Sequence, residues 1–188
     1  SNTSGGYNSM LTNTTGYSNT GFGIYTLRQN TTGTNNVALG QSALLNNTTA
    51  TLNVSIGYNS MYTNSTGAYN TCVGANAMDS NTTAGNNTAV GYSALKENTT
   101  GQSNVAVGKG ALDANTTASS NVAIGRGALG ANTTGQTNVA IGRSAASANT
   151  TASEITAVGT YALYANTTGV DNTALGTSAL EANTTGTY

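Results

Sequence analysis

The sequence predicts an all-β fold, a parallel β-solenoid or β-roll of eleven 17-residue coils. Three observations predict it: a strict internal period, a glycine and an asparagine that recur once in every period, and a β-branched run at one place in each. Asn104-Val-Ala-Val-Gly108 returns as Asn121-Val-Ala-Ile-Gly125 and again as Asn138-Val-Ala-Ile-Gly142, 17 residues apart each time. Counted from Asn2 the period never slips. The expectation is a single repeat array over residues 2–188, a segment of a longer fibre. Seventeen residues are too few for the helix pairs of α-solenoids, which use about 33 or more. They suit short strands joined by turns.

With the repeat numbered 1 to 17 from Asn2, each element follows in order. Positions 1 to 4 predict a first strand, because positions 2 and 4 favour Val, Ile and Thr. Position 5 is Gly in every coil: Gly6, Gly23, Gly40, Gly57, Gly74, Gly91, Gly108, Gly125, Gly142, Gly159 and Gly176. An unvarying glycine marks a turn that needs positive φ or close backbone approach. Positions 7 to 11 predict a second strand, with Leu or Met at position 9 in ten coils. Positions 2, 4 and 9 are expected to fill the inside. Position 12 is always Asn and position 14 always Thr, which predicts a corner, since Asn tolerates left-handed backbone and bonds to nearby peptide groups. Coils stacked about 4.8 Å apart would form a rod about 50 Å long.

Position 3 is always small and position 8 is Ala, Ser or Thr. Position 3 is expected to face outward, which makes the first strand apolar on both faces, and such strands are usually covered on both. The expectation is self-association, as a trimer or filament.

The corner also spells Asn-x-Thr in every coil, and the chain has no Pro to block it. Asn13, Asn30, Asn47, Asn64, Asn81, Asn98, Asn115, Asn132, Asn149, Asn166 and Asn183 are therefore possible N-glycosylation sites. The competing account is that Asn only builds the corner. Exposed Thr hydroxyls are a second candidate for sugar attachment.

Composition narrows the function classes. Charged residues are 6% of the chain and the net charge is −1, so no basic field is expected that would hold nucleic acid. No apolar run approaches the roughly 20 residues that span a bilayer, so membrane insertion is not expected. There is no His, and Cys72 is the one cysteine. No catalytic residues, metal or cofactor are expected, because Asp79, Glu97, Asp113, Glu154, Asp171 and Glu181 all sit at variable positions. Cys72 falls in the small-residue row and is expected to be a buried hydrophobe. Gly125-Arg-Gly-Ala-Leu-Gly130 spells G-x-G-x-x-G, but the dinucleotide motif needs a strand–turn–helix context that is missing here.

The string Asn121–Ala128, repeated as Asn138–Ala145, resembles the head repeat of trimeric autotransporter adhesins. Asn87-Thr-Ala-Val-Gly-Tyr-Ser-Ala-Leu95 with Asn98-Thr-Thr-Gly101 resembles repeats in bacteriophage tail fibres. The resemblance implies a left-handed, trimeric β-roll that serves as an adhesive or spacer rod. The Asn-Thr-Thr turn is an addition to the shorter adhesin repeat.

Three further patterns bear on binding. Asp79, Lys96 and Asp113 share position 10 in successive coils and would alternate in sign. Lys109, Arg126 and Arg143 share position 6 and would stack like charges, which asks for acids or glycans opposite them. The ten tyrosines, at variable positions, are expected to be exposed or at an interface. The functional expectation is a structural or adhesive extracellular fibre at a cell surface or virion. Alternatives are an ice-binding solenoid that uses the Thr rows, or a shaft that binds a cell-surface glycan or receptor.

Overall fold

The computed structural model describes residues 1–187; Tyr188, the last residue of the predicted array, lies outside them. Each coil contributes one three-residue strand at positions 2 to 4. These are β1 (Thr3–Gly5), β2 (Thr20–Phe22), β3 (Val37–Leu39), β4 (Val54–Ile56), β5 (Thr71–Val73), β6 (Thr88–Val90), β7 (Val105–Val107), β8 (Val122–Ile124), β9 (Val139–Ile141), β10 (Thr156–Val158) and β11 (Thr173–Leu175). They form one parallel 11-stranded sheet in chain order. The register joins each residue to its counterpart 17 positions on, as in Val105 with Val122, Ala106 with Ala123 and Val107 with Ile124. The chain is thus a β-solenoid, as the period predicts.

The second predicted strand is absent. Positions 7 and 9 both have positive φ, for example Ser93 at 54° and Leu95 at 54°. Alternation of left- and right-handed residues cannot extend into a strand. The backbone still pairs between coils: Leu95 N–H donates to Ala111 O at 2.9 Å, and Ser93 N–H donates to Ala75 O in the coil before at 3.0 Å. A left-handed leucine costs roughly 1–2 kcal/mol. Full burial of its side chain returns about 1.5–3 kcal/mol, and the inter-coil hydrogen bonds come in addition.

The facing of the strand is the reverse of the expectation. Position 3 points inward: Ala38, Ser55, Cys72, Ala89, Ala106, Ala123, Ala140 and Ala157 are all fully buried. Positions 2 and 4 point outward, half-buried or exposed, as Val122 and Ile124 show. The interior is thin. Each coil fills it with a small residue at position 3, a small residue at position 8 and, except for Ala146 in coil 9, one Leu or Met at position 9, such as Ala106, Ala111 and Leu112. No Val or Ile fits where the sheet approaches the opposite wall so closely. Coil 2 shows the tightness: Thr26 replaces Ala at position 8, Gly21 replaces Ala at position 3, and a Cβ on Gly21 would lie 3.2 Å from Thr26 Oγ1.

The turn glycine at position 5 meets its prediction. Gly108 has φ +132°, and a Cβ there would fall 2.7 Å from the carbonyl carbon and oxygen of Gly125 in the next coil. The glycine row is therefore a line of backbone-on-backbone contact along the rod.

Two asparagine ladders finish the interior. At position 1, Asn104 takes its place by donating N–H to Asn87 Oδ1 at 2.9 Å and Nδ2–H to Ala118 O at 2.9 Å. At position 12, Asn115 Nδ2 donates to Asn98 Oδ1 at 2.9 Å and to the same Ala118 O at 3.1 Å. Both amides thus hold the position-15 carbonyl of their own coil. Buried polar groups require such partners, and a column of like residues supplies them without end. The first ladder is interrupted once, at Ile155, whose N–H still donates to Asn138 Oδ1 at 3.0 Å.

Candidate functional site

With the lining committed to packing, chemistry belongs to the outward rows. Three are distinct. The first is the sheet face, positions 2 and 4. It is uncharged over its whole length and carries Thr, Val, Ile, Leu and Phe22, with Phe22, Val73, Ile124, Ile141 and Leu175 among its exposed members. Exposed apolar side chains gathered on one uncharged face mark interaction sites in soluble proteins.

The second is the Thr row at position 14. Thr15, Thr32, Thr49, Thr66, Thr83, Thr100, Thr117, Thr134, Thr151, Thr168 and Thr185 are all exposed. Their neighbours at position 13 are more enclosed, and Thr99 Oγ1, for instance, donates to Thr116 O at 3.0 Å. The corner therefore displays its threonines and hides its asparagines. Asn30, Asn47, Asn64, Asn81, Asn98, Asn115, Asn132, Asn149 and Asn166 have no accessible surface, and Asn13 and Asn183 are half-buried at the two ends. The row of possible N-glycosylation sites is thus enclosed in the folded coil. A sugar on Nδ2 would displace the ladder bonds that this nitrogen makes.

The third is the face made by positions 6, 7, 10 and 11. Here residue type changes from coil to coil, and grooves result. In coils 2 to 4 a groove of about 490 Å³ is lined by Tyr25, Tyr58, Tyr62, Gln29, Gln41 and Asn59, with Arg28 beside them. The Arg28 guanidinium lies 5.2 Å from the Tyr25 ring centre. In coils 7 to 9 a second groove of about 450 Å³ lies beside Lys109 and Arg126 and is floored by Gly110, Gly127 and Gly130, with Asp113, Ser144 and Ser147 on its walls. Arg143 stacks on Tyr161 at 4.7 Å, and Lys109 approaches Tyr92 at 5.8 Å.

The three stacked cations have no carboxylate partner among the described residues. The one ion pair there joins Lys96 Nζ to Glu97 Oε1 at 2.7 Å. The expected alternation of Asp79, Lys96 and Asp113 is thus a field effect and not a set of salt bridges. The hydrogen bond from Lys96 holds the Glu97 carboxyl below its ordinary value. Burial pushes Asp79 up against the weaker pull of Lys96, and pushes Asp113 up against the weaker pull of the Asp113 and Ala114 backbone N–H groups and of Lys96. The Asp113 carboxyl is tucked between two glycines: a Cβ on Gly110 would sit 3.5 Å from its Oδ2, and one on Gly130 3.5 Å from its Oδ1.

Cys72 lies fully buried in the position-3 row, with Sγ 3.0 Å from Met78 Sδ. Burial alone raises its thiol far above the ordinary range, so it stays protonated. The G-x-G-x-x-G string serves two unrelated purposes. Gly125 makes the inter-coil turn, whereas Gly127 and Gly130 open the groove floor. The tyrosines are exposed or half-buried among the described residues, as their variable positions predict.

Sequence reasoning found the stacked cations but missed the groove beside them. The signal was available in the coincidence of Lys109, Arg126 and Arg143 with Gly110, Gly127 and Gly130, at two positions of the repeat that elsewhere carry larger groups such as Tyr25, Asn59 and Tyr62. Set against known proteins, the chain matches no family model, no curated protein and no solved structure.

Proposed function

We propose that this chain is a structural and adhesive segment of an extracellular fibre, held to other copies of itself through the sheet face. The observation that carries the reading is the uncharged strip at positions 2 and 4, which runs along all eleven strands with no break. An interior that repeats the same contacts in every coil gives a rigid spacer. An uncharged strip with exposed apolar side chains along one side gives that spacer a surface through which to associate. The likeness of the Asn-Val-Ala-Ile-Gly string to adhesin heads and tail-fibre repeats points the same way.

Sedimentation velocity of the intact chain tests the proposal. The expected result is an oligomer that the double variant Val107→Lys, Ile141→Lys converts to a monomer with an unchanged far-ultraviolet circular dichroism spectrum. A wild-type chain that sediments as a monomer at every concentration would remove the sheet face as a self-association surface.

Glycan contact is a second reading, favoured by the Tyr25, Tyr58, Tyr62, Gln29 and Gln41 groove. Aromatic faces and side-chain amides are the groups that stack on and hydrogen-bond to sugars. The Thr row keeps the ice-binding alternative open to a direct measurement of thermal hysteresis.

A further inference from the structure

We propose that the groove over coils 7 to 9 binds an acidic polysaccharide, with one anionic sugar unit engaged per coil. Lys109, Arg126 and Arg143 stand on consecutive coils at the same position. Side chains so placed are about 4.8 Å apart along the rod, which is close to the length of one pyranose in an extended chain. A polymer with a carboxylate or sulfate on its sugars would therefore meet a cation at each rung without changing its own repeat.

Three observations support a ligand in place of mere solvation. The chain has five cationic residues in all, and three of them are in this row. Stacking like charges on neighbouring coils is destabilising, and among the described residues none of the three has a carboxylate within ion-pair distance. The surface beside the row is hollowed where other coils fill it, because Gly110 and Gly127 at position 7 and Gly130 at position 10 carry no side chain.

The chemistry of the walls suits a sugar better than a bare anion. Arg126 and Arg143 present planar donor forks that match a carboxylate or sulfate. The Arg143 guanidinium lies 4.7 Å from the Tyr161 ring centre. Asp113 supplies acceptors for sugar hydroxyls, and Ser144 and Ser147 supply hydroxyls of their own. A site that bound phosphate alone would have no use for an acidic wall. This site is independent of the self-association strip, which is built from positions 2 and 4, so either proposal can fail while the other stands.

The test is binding of oligogalacturonate and of heparin to the intact chain by isothermal titration calorimetry at low salt. Neutral dextran, polyphosphate and single-stranded DNA serve as comparisons. Binding of an acidic oligosaccharide, weakened by added salt, is expected, with none to dextran. Replacing each cation singly, as Lys109→Gln, Arg126→Gln or Arg143→Gln, should weaken binding about tenfold, the scale of one charge-assisted hydrogen bond. Gly130→Tyr fills the groove and keeps all three charges, at a position where Tyr62 and Tyr164 occur naturally. It should abolish binding while sedimentation stays that of wild type. Absence of binding to both acidic sugars overturns the proposal. So does undiminished binding by Gly130→Tyr, or equal affinity for polyphosphate or DNA, because charge alone would then be what is recognised.

Discussion

Along the interior, Asn98, Asn115 and Asn132 have the same neighbours and the same bonds. Along the outer row of position 6, Tyr92, Lys109, Arg126, Arg143 and Thr160 follow one another and share only their place in the coil. The difference shows how a repeat can be rigid and still carry information. A residue on the lining is both host and guest of its own copies, so changing one strands two neighbours. A residue on the outer face answers to nothing but solvent and ligand, and a distinct surface can be assembled there without touching the fold.

The comparison breaks first, and by the largest amount, at the asparagine ladder. Asn115→Ala removes two donated bonds, strands Asn98 Oδ1, and leaves Asn132 Nδ2 with only Gly135 O at 2.9 Å as acceptor. Orphaned buried groups cost about 1–3 kcal/mol each, so a loss of about 3–5 kcal/mol is expected in urea unfolding followed by circular dichroism. The exposed Thr117→Ala, two residues along the same corner, should change stability by less than about 0.5 kcal/mol. Equal losses for the two would erase the distinction between lining and face.

A smaller effect separates the two sides of one strand. Ala123→Val adds two methyl groups inside a close-packed wall and is expected to cost about 1–3 kcal/mol. Val122→Ala, its outward neighbour, should cost under about 1 kcal/mol. The reverse order would mean that the strand faces the other way.

The smallest effect lies on the outer face and depends on pH. The folded protein raises the Asp113 carboxyl above its unfolded value, chiefly through burial. The folded state therefore holds that proton more tightly, and ionisation costs stability as pH rises from the unfolded value through the folded one. Asp113→Asn should stabilise the chain at neutral pH by less than about 0.5 kcal/mol, since the group is largely solvent-screened. The gain should vanish in acid, below the unfolded value. Thermal unfolding midpoints at the two pH extremes check both sign and size.

Period, strand location, parallel register and the turn glycine were all legible in the sequence, because each is a demand that every coil must meet with the same residue. The facing of the strand was not. Hydrophobicity favoured Val and Ile for the inside, yet positions 2 and 4 range from Gly5 through Thr3 to Phe22, and such freedom of size belongs to a surface. Position 3 admits only Gly, Ala, Ser and Cys, which is the mark of confinement. The missing second strand had its own sign: positions 7, 9 and 10 never carry a β-branched residue. The cations of the candidate site were visible as a row, whereas its hollow came from three glycines that look like ordinary turn residues until the coils are stacked.

The register of n with n + 17 has a consequence for how such a protein changes over generations. No contact in the sheet reaches past an adjoining turn, so whole units can be gained or lost by slippage between copies and the remaining ladder closes without scar. Each event would shift the tyrosine groove against the basic groove by an integral number of rises. The separation between the two surfaces is therefore a length counted in steps, adjustable by recombination and not by point mutation.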